Sequence, residues 1–190
     1  MNKLRQDELI QKMTDRELLL QLYLTQGILI VLAFLGGWLF FPSIPWETLF
    51  VWDTKKVILY SIPFSIAVVG VDLFLMKVLP ESSFDDGGVN EKVFRNRTTF
   101  HIFWMTLLIA FCEELLFRGI LQSKFGLIVA SVIFALVHIR YLYKPVLFVS
   151  VFLLSFLLGV MFEVSQSFWV VMFAHFLIDF LLALFIRYQK

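Results

Sequence analysis

Three ionisable side chains stand inside one apolar run of this chain: Glu113, Glu114 and Arg118, in Phe111-Cys112-Glu113-Glu114-Leu115-Leu116-Phe117-Arg118-Gly119. Later apolar runs carry His138, His175 and Asp179. An ionisable group at membrane depth costs at least ~2.5–3.5 kcal/mol on insertion scales, so such groups usually have partners and a task. Glu114 and Arg118 are spaced i, i+4 with the acid first, the favourable order for an ion pair on one helix. That pair can neutralise itself. Glu113 points about 100° away and is left over, with the imidazoles of His138 and His175 as its natural partners. His175 and Asp179 repeat the i, i+4 spacing, so the carboxylate can orient the ring or share its task. A desolvated carboxylate tempered by a neighbouring imidazole suits general base work near neutrality. The same donors, Glu113, His138, His175 and Asp179, could instead ligate a divalent metal such as zinc. The chain has no His-Glu-x-x-His pair, and both options stay open.

Such residues need elements that hold them at one depth. Of the 190 residues, 60% are hydrophobic, against about 45–50% in a soluble domain. The excess falls in runs near the ~20 residues that span a bilayer. The expected fold is all-α, a polytopic transmembrane helical bundle of about six spans: 18–41, 57–79, 99–121, 125–139, 146–162 and 168–186. A single membrane-embedded domain, 18–190, follows an N-terminal interfacial segment, 1–17, with Leu4, Leu9, Ile10 and Met13 on one face. Thr14-Asp15-Arg16-Glu17 fits a capping box before the first span. Gly36-Gly37 is a flexible pair inside that span, which Pro42 ends, and Pro80 ends the second. Trp38, Trp46 and Trp52 suit the interface. Ser155 and Gly159, four apart, suit close helix contact. Residues 81–98 form the one sizeable polar connection, turn-like through Gly88 and helical for a turn or two from Asn90 to Asn96. Neither β periodicity nor an internal repeat is visible.

The formal net charge of +1 suggests no nucleic-acid partner; the partners expected are the lipid bilayer and a peptide or membrane-protein substrate. Cys112 is the only cysteine, so no intrachain disulfide forms. The first apolar run is too long for a cleavable signal peptide and lacks a small-residue cleavage site. Asn96-Arg97-Thr98 matches a glycosylation sequon but abuts a span, and is read as coincidence. With the N-terminus in the cytoplasm, the flanks and connections on that side hold all lysines and arginines except Lys55, Lys56, Lys124 and the intramembrane Arg118. The bias places both termini inside.

At ~1.5 Å per residue, Glu113, His138, His175 and Asp179 all fall roughly 10–20 Å below the outer edge of the hydrocarbon. Either histidine alone would read as a satisfied core residue; three spans bringing ionisable groups to one depth read as a site. For Glu114 with Arg118, a structural staple outweighs a direct catalytic part. Asp72 reads equally as a helix-end charge near Lys77 or as a site residue. His101 and Glu163 read as charges at span ends.

Glu113-Glu114-Leu115-Leu116-Phe117-Arg118, Phe134-Ala135-Leu136-Val137-His138 and His175-Phe176-Leu177-Ile178-Asp179 together resemble the three motifs of the CPBP family of intramembrane proteases. That family comprises the type II CAAX prenyl endopeptidases and bacterial homologues named for bacteriocin processing and self-immunity. The resemblance covers residues 99–183. It implies peptide-bond hydrolysis inside the membrane, with Glu113 and His138 activating a water and His175 and Asp179 stabilising the oxyanion. Glu114 and Arg118 would support the site. Both metal-dependent and metal-free mechanisms are implied. The chain departs from the family at Asp179, where asparagine is usual. An ionised aspartate would repel an oxyanion, so Asp179 is protonated, acts through His175, or ligates a metal. The expected function is an intramembrane endopeptidase in a multi-pass setting, in a bacterial plasma membrane. The alternatives are a non-catalytic scaffold or peptide-immunity protein using the same cavity, and a proton or ion pathway.

Overall fold

A computed structural model describes residues 12–189, so most of the expected interfacial segment, including Leu4, Leu9 and Ile10, lies outside the described residues. Helix α1 spans Asp15–Leu39, α2 Thr54–Val78, α3 Val89–Phe94, α4 Thr99–Phe125, α5 Leu127–Val137, α6 Pro145–Ser165 and α7 Phe168–Tyr188. The described residues contain no strand. Five of these helices are long and apolar enough to cross a membrane. The chain is a polytopic helical bundle, and its outward surface is the apolar one a bilayer requires: Phe34, Trp38 and Phe100 are each at least 70% exposed.

The ends of α1 follow from local chemistry. Thr14 accepts from the Glu17 backbone N–H, and the Glu17 carboxylate accepts from the Thr14 N–H, at 2.7 Å. This reciprocal cap satisfies donors that a helix start leaves open. Pro42 cannot continue the ladder, and the chain leaves through a short 3₁₀ turn at Phe41–Ser43. Gly36, expected as a flexible point, instead permits close packing: a Cβ there would sit 2.8 Å from the Ile120 side chain. In α2 the backbone widens into π-type turns over Val57–Ser61, just ahead of Pro63. The wider turn accommodates the ring that would otherwise strike the preceding carbonyl. On the same face Ser61 donates to the Val170 carbonyl at 2.7 Å, and Ser65 Oγ lies 3.0 Å from the Ala174 carbonyl. Interhelical bonds of this kind hold α2 against α7 where no water can compete.

The bundle has two chemically distinct ends. At one, Asn96 hydrogen-bonds Asp15, Thr99 meets the Tyr188 hydroxyl, and Lys92 donates to the Met13 carbonyl. The start of α1 and the end of α7 therefore share a side. At the other, Lys124 donates to Ser43 and Lys56 to the Ser165 carbonyl. Five of the six expected spans are helices of membrane length; the fourth, expected as a short span over 125–139 that ends near His138, is a shorter helix. Helix α5 stops at Val137, about 16 Å long at 1.5 Å per residue, and His138–Lys144 completes the crossing in irregular backbone with a 3₁₀ turn at Ile139–Tyr141. The reason lies in His138. Its Nδ1 is 2.8 Å from the Phe134 carbonyl, so the ring takes the acceptor that the next helical turn would have used. Irregular backbone at this depth survives only where protein or a cavity covers it.

Candidate active site

The site is built on α4, where the helix carrying the two glutamates widens into π-type turns from Leu115 to Gln122. Such turns recur at functional sites because they re-aim side chains without ending the helix. Arg118 is 1% exposed and Glu114 fully buried, with Arg118 Nη1 2.9 Å from Glu114 Oε1. The expected i, i+4 pair is present. Arg118 has further donors to satisfy, and its Nη2 reaches the Ser155 carbonyl at 2.8 Å and the Ser155 hydroxyl at 3.0 Å. One turn on, Gln122 Nε2 donates to the Gly159 carbonyl at 2.9 Å. A Cβ at Gly159 would collide with Leu127 and sit 2.8 Å from Gln122 Oε1. The Ser155/Gly159 spacing thus serves close contact, as read from the sequence, and α4 grips α6 through it. Together with the core around Phe117, Leu158, Phe162 and Phe168, these contacts seal the site toward the Lys124 end.

From α7, His175 enters the same space. Its Nδ1 is 2.7 Å from Glu114 Oε1. A carboxylate oxygen accepts, so Nδ1 carries the proton and Nε2 faces the other way. There Nε2 lies 4.0 Å from Glu113 Oε2 and 3.5 Å from Asp179 Oδ2. Glu113, Glu114, Arg118, His175 and Asp179 therefore converge, and the imidazole stands at their centre. The sequence paired Glu114 with Arg118 alone; the structure makes its carboxylate a shared acceptor for Arg118 and His175. The side chains of Glu113 and Asp179 are 13% and 27% exposed. Asp179, nearer the end that carries Asp15 and Tyr188, is the more exposed of the two acids.

His138 is placed differently from the other four. No hydrogen bond or ion pair links it to Glu113 among the described residues. Phe134 is the intermediary. Its ring centroid lies 4.8 Å from that of His138 and 6.3 Å from that of His175, with the Arg118 guanidinium 5.0 Å above it. With Nδ1 turned to the Phe134 carbonyl, the Nε2 of His138 is free to accept. Asp72 stays outside the cluster and forms no hydrogen bond or ion pair with another described residue, Lys77 included. His101 sits at its span end, bonded to the Tyr23 hydroxyl at 2.8 Å. Sequence reasoning missed Ser155 and Phe134 as supports of the site. The surplus donors of a guanidinium at membrane depth were the signal for the first; the second needs three dimensions.

The donor set was tested against a metal. Among the described residues, no three His, Cys, Asp or Glu side chains are grouped as a metal's ligands would be. The Nδ1 of each histidine is held, by Glu114 and by the Phe134 carbonyl, which leaves each Nε2 as the outward-facing nitrogen. No step below is routed through a cation.

A buried acid–imidazole cluster inside a helical bundle with an apolar outer surface marks a multi-pass membrane protein. The chain belongs to the type II CAAX prenyl endopeptidase Rce1-like family, whose model matches residues 95–181. All three sequence motifs fall within that stretch. It is also 44% identical over 168 residues to the uncharacterized protein YpbD of Bacillus subtilis, covering 87% of this chain and 88% of that one. No solved structure matches it. Membership makes it a protease-like membrane protein at family level, with a peptide as the implied class of substrate.

Proposed function

We propose that this protein is an intramembrane endopeptidase that hydrolyses a peptide bond with a water activated by Glu113 and His138. The observation that carries the reading is the convergence of Glu113, His175 and Asp179 around one imidazole nitrogen, at 4.0 and 3.5 Å from the two acids. Glu113 is half of an acidic pair whose other member is held through Oε1 by Arg118 and His175, so it is the carboxylate proposed to take a proton. His138 offers an unengaged Nε2 for the same water. A water held between them loses its proton to Glu113 as its oxygen attacks the scissile carbonyl, and the proton passes from Glu113 to the leaving nitrogen.

His175 stands on the oxyanion side. Its Nδ1 is fixed by Glu114, and as an imidazolium it presents Nε2–H to the developing charge. A donor placed this way in a water-poor site contributes about 2.7–4 kcal/mol. Asp179, within ion-pair distance of the same nitrogen, acts through His175 and does not meet the oxyanion itself. This supports one of the three options that its acid character left open. The substrate class is a peptide or a membrane-protein segment; the setting is a bacterial plasma membrane, with the Asp15/Tyr188 end inside.

The test is a proteomic comparison of cells carrying the wild-type protein with cells carrying Glu113→Ala. Uncut membrane peptides should accumulate in the variant, and in His138→Ala. Biological activity that survives both substitutions would establish the non-catalytic scaffold instead.

A further inference from the structure

Tyr141 lies three residues beyond His138 and outside all three motifs. It is 6% exposed, and its ring stacks near that of His138, with centroids 6.0 Å apart and planes 15° from parallel. Its hydroxyl accepts from Arg140 Nη2 at 2.6 Å and has the Asn90 side chain as an electrostatic neighbour. Asn90 belongs to the polar connection between α2 and α4, and its own position is built. The Asp86 carboxylate accepts from the backbone N–H groups of Gly88 at 3.0 Å and Asn90 at 2.9 Å. Gly87 and Gly88 supply the positive φ values, 80° and 79°, that the turn requires and that side-chain-bearing residues rarely adopt. Val89 and Val93 then anchor α3 among Leu18, Met105 and Ile109. A continuous series of contacts runs from this core through Asn90 and Tyr141 to His138.

His138 needs such a hold. It sits just past the end of α5, with φ −78° and ψ 53°, so no helix fixes the direction of its side chain. One hydrogen bond secures Nδ1 and leaves the ring free to swing about it. We propose that Tyr141 is a positioning residue for His138, and that Asn90 links this hold to the polar connection. The proposal rests on the reading of His138 as the partner of Glu113 in activating water. Misplacing a reacting group by about 1 Å can cost on the order of a hundredfold in rate.

The test uses the full chain, labelled with ¹⁵N at its three histidines, in lipid nanodiscs. In the wild type, His138 should show one protonated and one bare ring nitrogen, the pattern that the bond to Phe134 dictates. Tyr141→Leu should let the swinging ring leave its bond to Phe134, average the two signals and leave His175 unchanged. Tyr141→Phe, which keeps the stacked ring, should restore most of the wild-type pattern. Asn90→Ala, at an extramembrane position, should average them in part and serves where Tyr141→Leu does not fold. A wild-type pattern in Tyr141→Leu, or in Asn90→Ala where that is the variant read, overturns the proposal. So does Tyr141→Phe averaging as fully as Tyr141→Leu. In cells, Tyr141→Leu should accumulate the same uncut peptides as Glu113→Ala. Accumulation in Glu113→Ala but not in Tyr141→Leu overturns the positioning role alone. No accumulation in Glu113→Ala overturns the proteolytic reading, and the nitrogen spectrum still decides the role of Tyr141.

Discussion

Glu114 Oε1 lies 2.7 Å from His175 Nδ1, and the same oxygen receives Arg118 at 2.9 Å. One acid thereby fixes both the guanidinium that fastens α4 to α6 and the imidazole that faces the reacting space. Truncating Glu114 to alanine leaves a buried Arg118 charge without its counter-ion. It should cost about 3–5 kcal/mol, read as a loss of unfolding free energy in mixed micelles. Replacing both members by Leu and Met should cost less than the single change, because no buried charge is then left unpaired.

Glu113 presents the opposite case. It has no hydrogen bond among the described residues, and its nearest ion-pair distance is 4.0 Å. Glu113→Gln should therefore remove cleavage while shifting stability by no more than about 0.5 kcal/mol. Peptide accumulation in cells and a melting curve of the purified protein check the two halves separately.

Asp179 separates charge from hydrogen bonding. If it serves by its contact with His175, Asp179→Asn should retain a substantial part of the activity, since an amide oxygen can accept from the same ring. Asp179→Leu should lose activity by roughly a hundredfold or more. Equal loss in both variants would show that the negative charge itself is required.

The α4–α6 contact gives a stability prediction with no catalytic content. Gly159→Val places atoms where the Leu127 and Gln122 side chains already sit. Overpacking of this kind costs about 1–3 kcal/mol. Ser155→Ala removes one hydrogen bond to a charged group but leaves the Ser155 carbonyl as acceptor, so its cost should lie near the lower end of about 1.5–3 kcal/mol. Denaturant unfolding in micelles measures both.

The six passes were legible in the sequence because apolar run length and proline positions report on single segments. The Glu114–Arg118 pair was legible for the same reason: both residues lie on one helix at a spacing with a known geometry. The contact between Glu114 and His175 was not, since it joins residues 61 apart in the chain and depends on how α4 and α7 are rotated against each other. His138 was placed by counting along a helix that in fact ends at Val137. The span end near His138 was legible; the bond of its own ring to the Phe134 carbonyl was not, being a local competition that apolar periodicity does not register.

The incomplete fourth pass has a consequence for supply. Each bond a hydrolase cuts consumes one molecule of solvent, and the interior of a bilayer holds almost none. Within the stretch from His138 to Lys144, Tyr141, Leu142 and Lys144 donate to carbonyls three residues back, and the remaining peptide groups call for partners of another kind. Solvent bonded to such groups would be the same reactant that the proposed hydrolysis consumes.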